Sequence, residues 1–368
     1  MSVFFADVPL CRAVGVSAHS AVLIDAVSGR IIYEKNAYQR MSMASTTKIM
    51  TALCAIENSN LDERVQVDSS AVGVEGSSIY LKHGEHLSVR ELVYGLMLSS
   101  GNDAAVAIAC AVSGNVKEFA TLMNKTANKI GVENTNFMNP NGLDEENHYT
   151  TAYDLGQITA YAMKNEEFRQ IVSTYEKTIS HEGYSYNRQL RNHNKLLKMY
   201  DGCIGVKTGF TKKSGRCLVS AAERNGITLV AVTLKAPDDW NDHMNMLNYG
   251  FERTEAKCVL KKDEYLKTVS VKGGMKKRVR IICDKDIFVP EIKDTKNDIT
   301  LKYNIKNTLT APVGYREEAG VVSVYLNGKH ITDVKAVTES VVSKDNRKTL
   351  KRSAELIFSE FVSVGAKK

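Results

Sequence analysis

Three short stretches of the chain hold residue types that can activate a hydroxyl, hold a carbonyl and grip a carboxylate. Ser45-Thr46-Thr47-Lys48 sets a hydroxyl and an amine three residues apart. A serine hydroxyl attacks a carbonyl only once a base has taken its proton. On a helix the third residue along lies one turn on and on the same face, so the Lys48 amine reaches the Ser45 hydroxyl. That amine serves as the base only when neutral, which demands burial or a neighbouring cation. A helix start also offers backbone N–H groups to a developing oxyanion. Ser100-Gly101-Asn102 adds a second hydroxyl to relay a proton and an amide to hold a substrate carbonyl. Lys207-Thr208-Gly209 ends an apolar run with a cation and a hydroxyl suited to a carboxylate, and with a glycine past which a ligand backbone can approach.

Each stretch alone also has a plain structural explanation: an N-cap serine with a surface lysine, a polar turn, a strand end. Ser113-Gly114-Asn115 repeats the second tripeptide, so the tripeptide alone selects neither copy. The signal lies in the order of the three and in the elements that carry them. Residues 20–34 read as strand, turn and strand, with 25–29 as the turn. Ile49, Met50, Leu53 and Ile56 then recur on one helical face after Ser45, and Ser88 with Glu91 forms a capping box before another helix. Further helical patterns cover 104–112, 117–130 and 152–163. Strands return at 202–209, 218–222 and 227–234, the last two joined by Arg224-Asn225-Gly226, and a helix spans 240–251. Ser45 therefore stands at a helix mouth, Ser100 between helices and Lys207 on a strand. The arrangement predicts an α+β domain, an antiparallel sheet flanked by helices, over 18–256. Alternation at 266–271, 278–283, 299–305 and 321–334, with an Asn327-Gly328 turn, predicts a smaller all-β domain over 262–344. The remainder, 345–368, reads as an amphipathic tail helix.

The 368 residues, 43% hydrophobic and 25% charged, exclude a disordered, collagen-like or disulfide-scaffold chain. A net charge of +7 permits nucleic acid, an anionic membrane or a wall polymer as partner and selects none. Seven cysteines (Cys11, Cys54, Cys110, Cys203, Cys217, Cys258, Cys283) lie at irregular spacing with no C-x-x-C pair, which argues for buried thiols over disulfides or zinc. Residues 1–9 carry Asp7 and lack a basic stretch before a long apolar core, so no signal peptide is evident there.

S-x-x-K, Ser-x-Asn and K-T-G in this order form the signature of penicillin-binding proteins and class A β-lactamases. The chain resembles the serine-type D-alanyl-D-alanine carboxypeptidases, the low-molecular-mass penicillin-binding proteins, at several further stretches. These are Gly76-Ser77-Ser78-Ile79-Tyr80-Leu81, Gly95 through Ala105, Asn139-Pro140-Asn141-Gly142-Leu143-Asp144, His148-Tyr149 and Asn192 through Leu197. Asp103-Ala104-Ala105 after Asn102 makes the first Ser-Gly-Asn the family match. The likeness runs over about 20–251, and 266–334 resembles the family's second domain.

The resemblance implies that Ser45 is acylated with Lys48 as its base, that Ser100 helps proton transfer, and that Asn102 holds the substrate. Lys207, Thr208 and Gly209 would bind the terminal carboxylate of a peptidoglycan stem peptide. The backbone N–H groups of Ser45 and Phe210 would form the oxyanion hole. It implies hydrolysis of the D-Ala-D-Ala bond with release of D-alanine, acylation by β-lactams, and an extracytoplasmic, membrane-associated location, with no cofactor, metal or nucleic acid. Family members often have Arg where this chain has His193 and His where it has Phe210, differences that bear on substrate preference and deacylation rate.

Two other functions compete. A β-lactamase would need an element to activate deacylating water, and no Glu-x-x-x-Asn follows the second motif. A silent wall-binding or sensor module would have lost Ser45, Lys48 or Lys207, and all are present. His83 and His86 are three apart with no acidic or cysteine partner in pattern, and read as a solvated loop. Lys276-Lys277-Arg278 with Arg280 reads as an exposed strand edge. In the tail, Leu350, Ala354, Ile357, Phe358, Phe361 and Val364 share a helical face between cationic ends, which suits docking on a membrane surface.

Overall fold

Ser-Ala-Val-Leu-Ile-Asp at 20–25 is an apolar run with polar ends, and all six residues are buried in strand β1 (Ser20–Asp25). A strand buried on both faces belongs inside a sheet covered on both sides. The computed structural model, which describes residues 14–347 and 353–357, places it so. β1 lies between β2 (Ile31–Lys35) and the fully buried β5 (Ile227–Leu234), and β4 (Gly215–Arg224) and β3 (Cys203–Thr211) complete a five-stranded antiparallel sheet in the order β2-β1-β5-β4-β3. Register is set by Ala21 opposite Lys35 on one side and Thr233 on the other.

Among the described residues, eight α-helices complete the first unit: α1 (Lys48–Asn58), α2 (Val89–Leu98), α3 (Asn102–Ser113), α4 (Val116–Ile130), α5 (Ala152–Ala162), α6 (Glu166–Ser173), α7 (Leu196–Met199) and α8 (Asp239–Arg253). Gly156 of α5 meets Val22, Ile24 and Val232, while Gly250 of α8 meets Leu23 and Leu229. Successive strand residues point to opposite faces, so α5 and α8 sandwich the sheet. α1 is buried from Lys48 through Ala55, a core helix with no solvent face over that stretch, and it follows one 3-10 turn, Ala44–Thr47. The capping box expected at Ser88 and Glu91 is present at the start of α2.

The chain divides between Glu255 and Ala256. The second unit carries a six-stranded sheet in the order Ile299–Ile305, Glu318–Leu326, Lys329–Thr338, Arg278–Cys283, Tyr265–Lys272, Thr308–Thr310. Val279 and Ile281 face its core, whereas Arg278 and Arg280 are exposed, as alternation requires. Both Asn-Gly turns expected from the sequence close hairpins with positive φ at each residue: 51° and 78° at Asn225-Gly226, 51° and 79° at Asn327-Gly328. The α+β architecture with an all-β second unit stands as anticipated.

Local patterning does not single out α6, α7, strands Thr254–Leu260, Ile287–Ile292 and Thr308–Thr310, or the hairpins pairing Arg64–Gln66 with His86–Ser88 and Glu176–Ile179 with Arg188–Arg191. These are short and mostly half-exposed, so their local pattern is weak. In the tail, 353–357 is helical with Leu356 and Ile357 exposed; the rest of the expected helical face, including Leu350, Phe358, Phe361 and Val364, lies outside the described residues. No single helix among the described residues is long and apolar enough to cross a membrane. The six described cysteines are free thiols, and burial pushes Cys54 up to about 12 and Cys203 and Cys217 up to about 11, which keeps them protonated and unreactive. Cys11 lies outside the described residues.

Two buried histidines tie layers together. His243 of α8 bonds Ser220 of β4 through Nδ1 (2.6 Å) and Thr233 of β5 through Nε2 (2.9 Å). Burial pushes His243 down to about 3 and His148 to about 4, from an ordinary 6.5. Unfolded, each imidazole takes a proton near its ordinary pKa; folded, each stays neutral. Their stabilisation is therefore whole above about pH 6.5 and is lost as pH falls toward 4, at up to about 1.4 kcal/mol per pH unit for each. Urea unfolding between pH 7 and 4.5 is expected to show this slope, and His243→Gln should reduce it. Equal slopes for the two proteins would assign the acid sensitivity elsewhere.

Candidate active site

The residues Ser45-Thr46-Thr47 are fixed by their own side chains. Thr46 Oγ1 donates to Met43 O (2.6 Å) and Thr47 Oγ1 to Ala44 O (2.8 Å). Such local back-bonding favours a tight turn over an ordinary helix start, in agreement with the observed 3-10 turn. His148 supports it from behind: its Nδ1 accepts from Met138 N–H (3.0 Å), which leaves Nε2–H to donate to Thr47 Oγ1 (2.7 Å). Gly142 (φ +87°) packs so closely that a Cβ there would stand 2.0 Å from Ala44 O. His148 and Gly142, noted in the sequence only as points of resemblance, are thus structural parts of the nucleophile turn.

Lys48 is fully buried at the head of α1. Its Nζ lies 2.9 Å from Ser45 Oγ, 2.6 Å from Asn102 Oδ1 and 2.6 Å from the Asn141 carbonyl. Two of these neighbours only accept, so they take two N–H groups, and the lone pair of a neutral amine is left for the Ser45 hydroxyl proton. Burial, reinforced by the nearby Lys207 charge, drives the amine well below its usual 10.5, with Asp103 opposing. The arrangement matches what the S-x-x-K spacing called for.

Ser100 sits between α2 and α3 at φ +59°, nearly buried, with its side chain on the cleft wall. Asn102 Oδ1 accepts from Lys48 and its Nδ2 donates to Glu75 O, so the amide orients the amine. The companion Ser113-Gly114-Asn115 is a helix connection: Gly114 ends α3 and Asn115 caps α4.

β3 is an edge strand of the sheet and runs against the nucleophile turn. A Cβ at Gly209 would lie 3.0 Å from Ser45 N and 3.1 Å from Thr46 N, so glycine keeps the approach to these N–H groups open. Thr208, Gly209 and Phe210 line the cleft, and Phe210 is 66% exposed. Lys207 is buried and donates to Thr208 O (3.0 Å), and burial lowers it to about 7. Strand alternation sets it on the same face as Gly209, toward the nucleophile turn, and its charge is felt at both Lys48 and His193.

The cleft holds about 420 Å³ and is walled by Ser45, Ser77, Ser100, His193 and the Thr208–Phe210 edge, with Arg216, Asp239 and Trp240 at the other side. Asn192 and Asn194 fold the loop that presents His193: Asn192 Nδ2 donates to Val172 O and Thr174 O, and its Oδ1 accepts from Asn194 N–H. Burial and the Lys207 charge lower the His193 imidazole, which keeps it neutral. The Arg216 trio was not anticipated. The β3–β4 register sets Arg216 opposite Phe210, its Nε and Nη2 donate to buried Asp239 Oδ1 (3.1 and 2.8 Å), and Trp240 lies 5.8 Å from the guanidinium. Hairpin register from the Thr211–Gly215 turn was the one available signal. Asp103 was noted only for resemblance. It clamps the Ser77 loop by accepting from Ser78 Oγ, Ile79 N and Leu81 N. The His83–His86 pair gathers no metal cluster among the described residues, and His86 instead stands 3.3 Å from Glu182.

Gly142→Ala is expected to displace Ala44 and Ser45, to destabilise the unit by about 2–4 kcal/mol and to slow acylation by penicillin at least tenfold. Gly131→Ala is the control, since Gly131 has a similar φ (+91°) with open space around it. It should cost about 1 kcal/mol and leave acylation unchanged. Equal effects from both would remove the close-contact argument.

Comparison with known proteins bears directly on this geometry. Residues 8–238 match the Peptidase S11 family, described as D-alanyl-D-alanine carboxypeptidase, and 255–344 match the penicillin-binding protein 5 C-terminal domain. The D-alanyl-D-alanine carboxypeptidase DacF of Bacillus subtilis (strain 168) is 34% identical over 325 residues, covering 86% of this chain and 83% of the relative. DacC of Escherichia coli (strain K12), with the same description, is 31% identical over 347 residues, covering 89% and 84%. Penicillin binding protein 5 from Haemophilus influenzae has a similar structure, with a TM-score of 0.64 at 29% identity over 90% of this chain and 98% of that one. The chain belongs to the S11 family of D-alanyl-D-alanine carboxypeptidases, serine-type penicillin-binding enzymes that act on peptidoglycan.

Proposed function

We propose that Ser45 is the nucleophile of this carboxypeptidase and that neutral Lys48 is its base. The single observation that carries the assignment is the buried amine 2.9 Å from Ser45 Oγ with its two N–H groups held by carbonyl acceptors. The Ser45 proton passes to Lys48 as Oγ attacks the carbonyl of the penultimate D-alanine. Charge develops on the carbonyl oxygen, where the backbone N–H groups of Ser45 and Phe210 receive it. Ser100, on the same wall, relays the proton to the departing nitrogen. D-Alanine leaves, and water cleaves the Ser45 ester to return the enzyme. A β-lactam follows the first half of this path and remains as a Ser45 ester.

Asn102 acts through Lys48 by fixing the direction of its lone pair. The terminal carboxylate of the stem peptide meets Lys207, the Thr208 hydroxyl and Arg216, a cation held in place by Asp239. Gly209 keeps the edge of β3 clear for the peptide backbone, which can add to the edge as a further strand. Because the stem peptide lies in the wall, we place the enzyme outside the cytoplasm. The tail, 345–368, docks it on the membrane surface.

Incubation with labelled penicillin and with a peptide ending in D-Ala-D-Ala tests the chemistry. Long-lived label with D-alanine release is expected from the wild type and neither from Ser45→Ala; Lys48→Ala should label about 10²–10⁴-fold more slowly. Rapid turnover of penicillin would favour a β-lactamase, and absence of label a silent module. The acylation rate should rise with pH through a value far below 10.5, because only the neutral amine accepts the proton. Deletion beyond Asp345 should release the enzyme from anionic vesicles with hydrolysis intact; unchanged vesicle binding would refute the tail's role.

A further inference from the structure

Tyr80 is held in a conformation that tyrosine does not adopt without cause. Its φ is +60°, in the left-handed region, and its side chain is 79% exposed, so no burial of the ring repays the strain. The backbone around it is nonetheless tightly determined. Arg188, buried and forked onto buried Glu85, donates Nε to Ile79 O (2.9 Å) and Nη2 to Tyr80 O (3.1 Å). Tyr80 N–H donates to Ser78 Oγ (2.8 Å), and Leu81 N–H to Asp103 (3.0 Å). A buried ion pair anchored on two backbone carbonyls therefore holds a tyrosine out in water.

The same guanidinium binds a second loop, through Ser180 O (3.2 Å). That loop displays Tyr184 and Tyr186, 38% and 60% exposed, with ring centroids 5.3 Å apart; His181 stacks on Tyr184 at 3.9 Å, and Lys82 Nζ lies 4.3 Å from the Tyr184 ring. None of these groups enters the acylation chemistry. The Tyr80 segment leads directly into the active site: Ser77, three residues before Tyr80, lines the cleft and its carbonyl accepts from Asn102 N–H (2.7 Å). Exposed aromatic rings beside polar hydrogen-bonding groups suit a ligand with flat apolar C–H faces and a hydroxyl rim, which describes a pyranose ring. Peptidoglycan joins such rings covalently to the stem peptide.

We propose that the Tyr80, Tyr184 and Tyr186 surface binds sugar rings of the glycan strand whose stem peptide occupies the cleft. The proposal rests on the peptidoglycan activity of the enzyme and adds a second point of contact with the polymer. The peptide supplies the scissile bond, and the sugars fix which stretch of strand is presented.

The test compares D-alanine release from a free pentapeptide with release from the same pentapeptide on glycan strands, for wild type, Tyr80→Ser/Tyr186→Ser and Tyr80→Phe/Tyr186→Phe. The serine variant should lose about tenfold in kcat/KM on the strands and stay within twofold on the free peptide, and the phenylalanine variant should retain most strand activity. Equal loss on both substrates, or loss on neither, would overturn the proposal. Co-sedimentation with peptide-free glycan strands gives an independent reading that needs no catalysis. Wild type and Ser45→Ala should bind and the serine variant should not; equal binding by all three would also overturn it. Full penicillin labelling of the tyrosine variants confirms that they fold, and failure of the wild type to release D-alanine from either substrate would instead count against the carboxypeptidase assignment.

Discussion

An ammonium group taken out of water must either find an opposite charge or lose its proton. Among the described residues Lys48 has no carboxylate at hydrogen-bond distance; its partners are one hydroxyl and two carbonyl oxygens. Much of the first unit follows from keeping that amine dry and correctly aimed. α1 is buried along eight residues so that its first one is sealed. Asn102 must be anchored at its far end, which Glu75 O does, and the Asn141 carbonyl must be brought to the amine by a loop that leans on the nucleophile turn. Removing any one of these would leave the amine free to recover a proton or to turn away from Ser45.

The loops that meet there are held by buried polar anchors more than by apolar contact. Asp103 gathers the N–H groups of the Ser77 loop, and Arg188 with Glu85 grips the carbonyls of the same segment. Gly142 fills the only conformation and space left beside Ala44. Polar anchors of this kind are directional, and a satisfied network rigidifies a loop in one geometry. Apolar packing alone would tolerate sliding by an ångström, enough to separate a base from its hydroxyl. The positive φ values at Ala44, Tyr80 and Ser100 all occur on these segments, where the surrounding bonds over-determine the backbone.

Much of this was legible from the sequence alone. Residue types at fixed local spacing specify local geometry, so Ser45 and Lys48 on one face, the Ser88 capping box and both Asn-Gly hairpins follow from chain chemistry within a few residues. Apolar periodicity likewise identified β1, β5, α4 and the alternating strands of the second unit, and with them the two-part architecture. The order of three motifs on a helix start, a turn and a strand carried the reaction class.

What tertiary structure decided is how the site's side chains are held. Asn102 orients Lys48 because Glu75, distant along the chain, takes its other end, and Arg216 enters through hairpin register and is fixed by Asp239 on α8. The buried Arg188–Glu85 pair and the displayed tyrosines join segments about a hundred residues apart. No local pattern encodes such pairings, because their energies come from desolvation and geometry that exist only once separate segments are packed together.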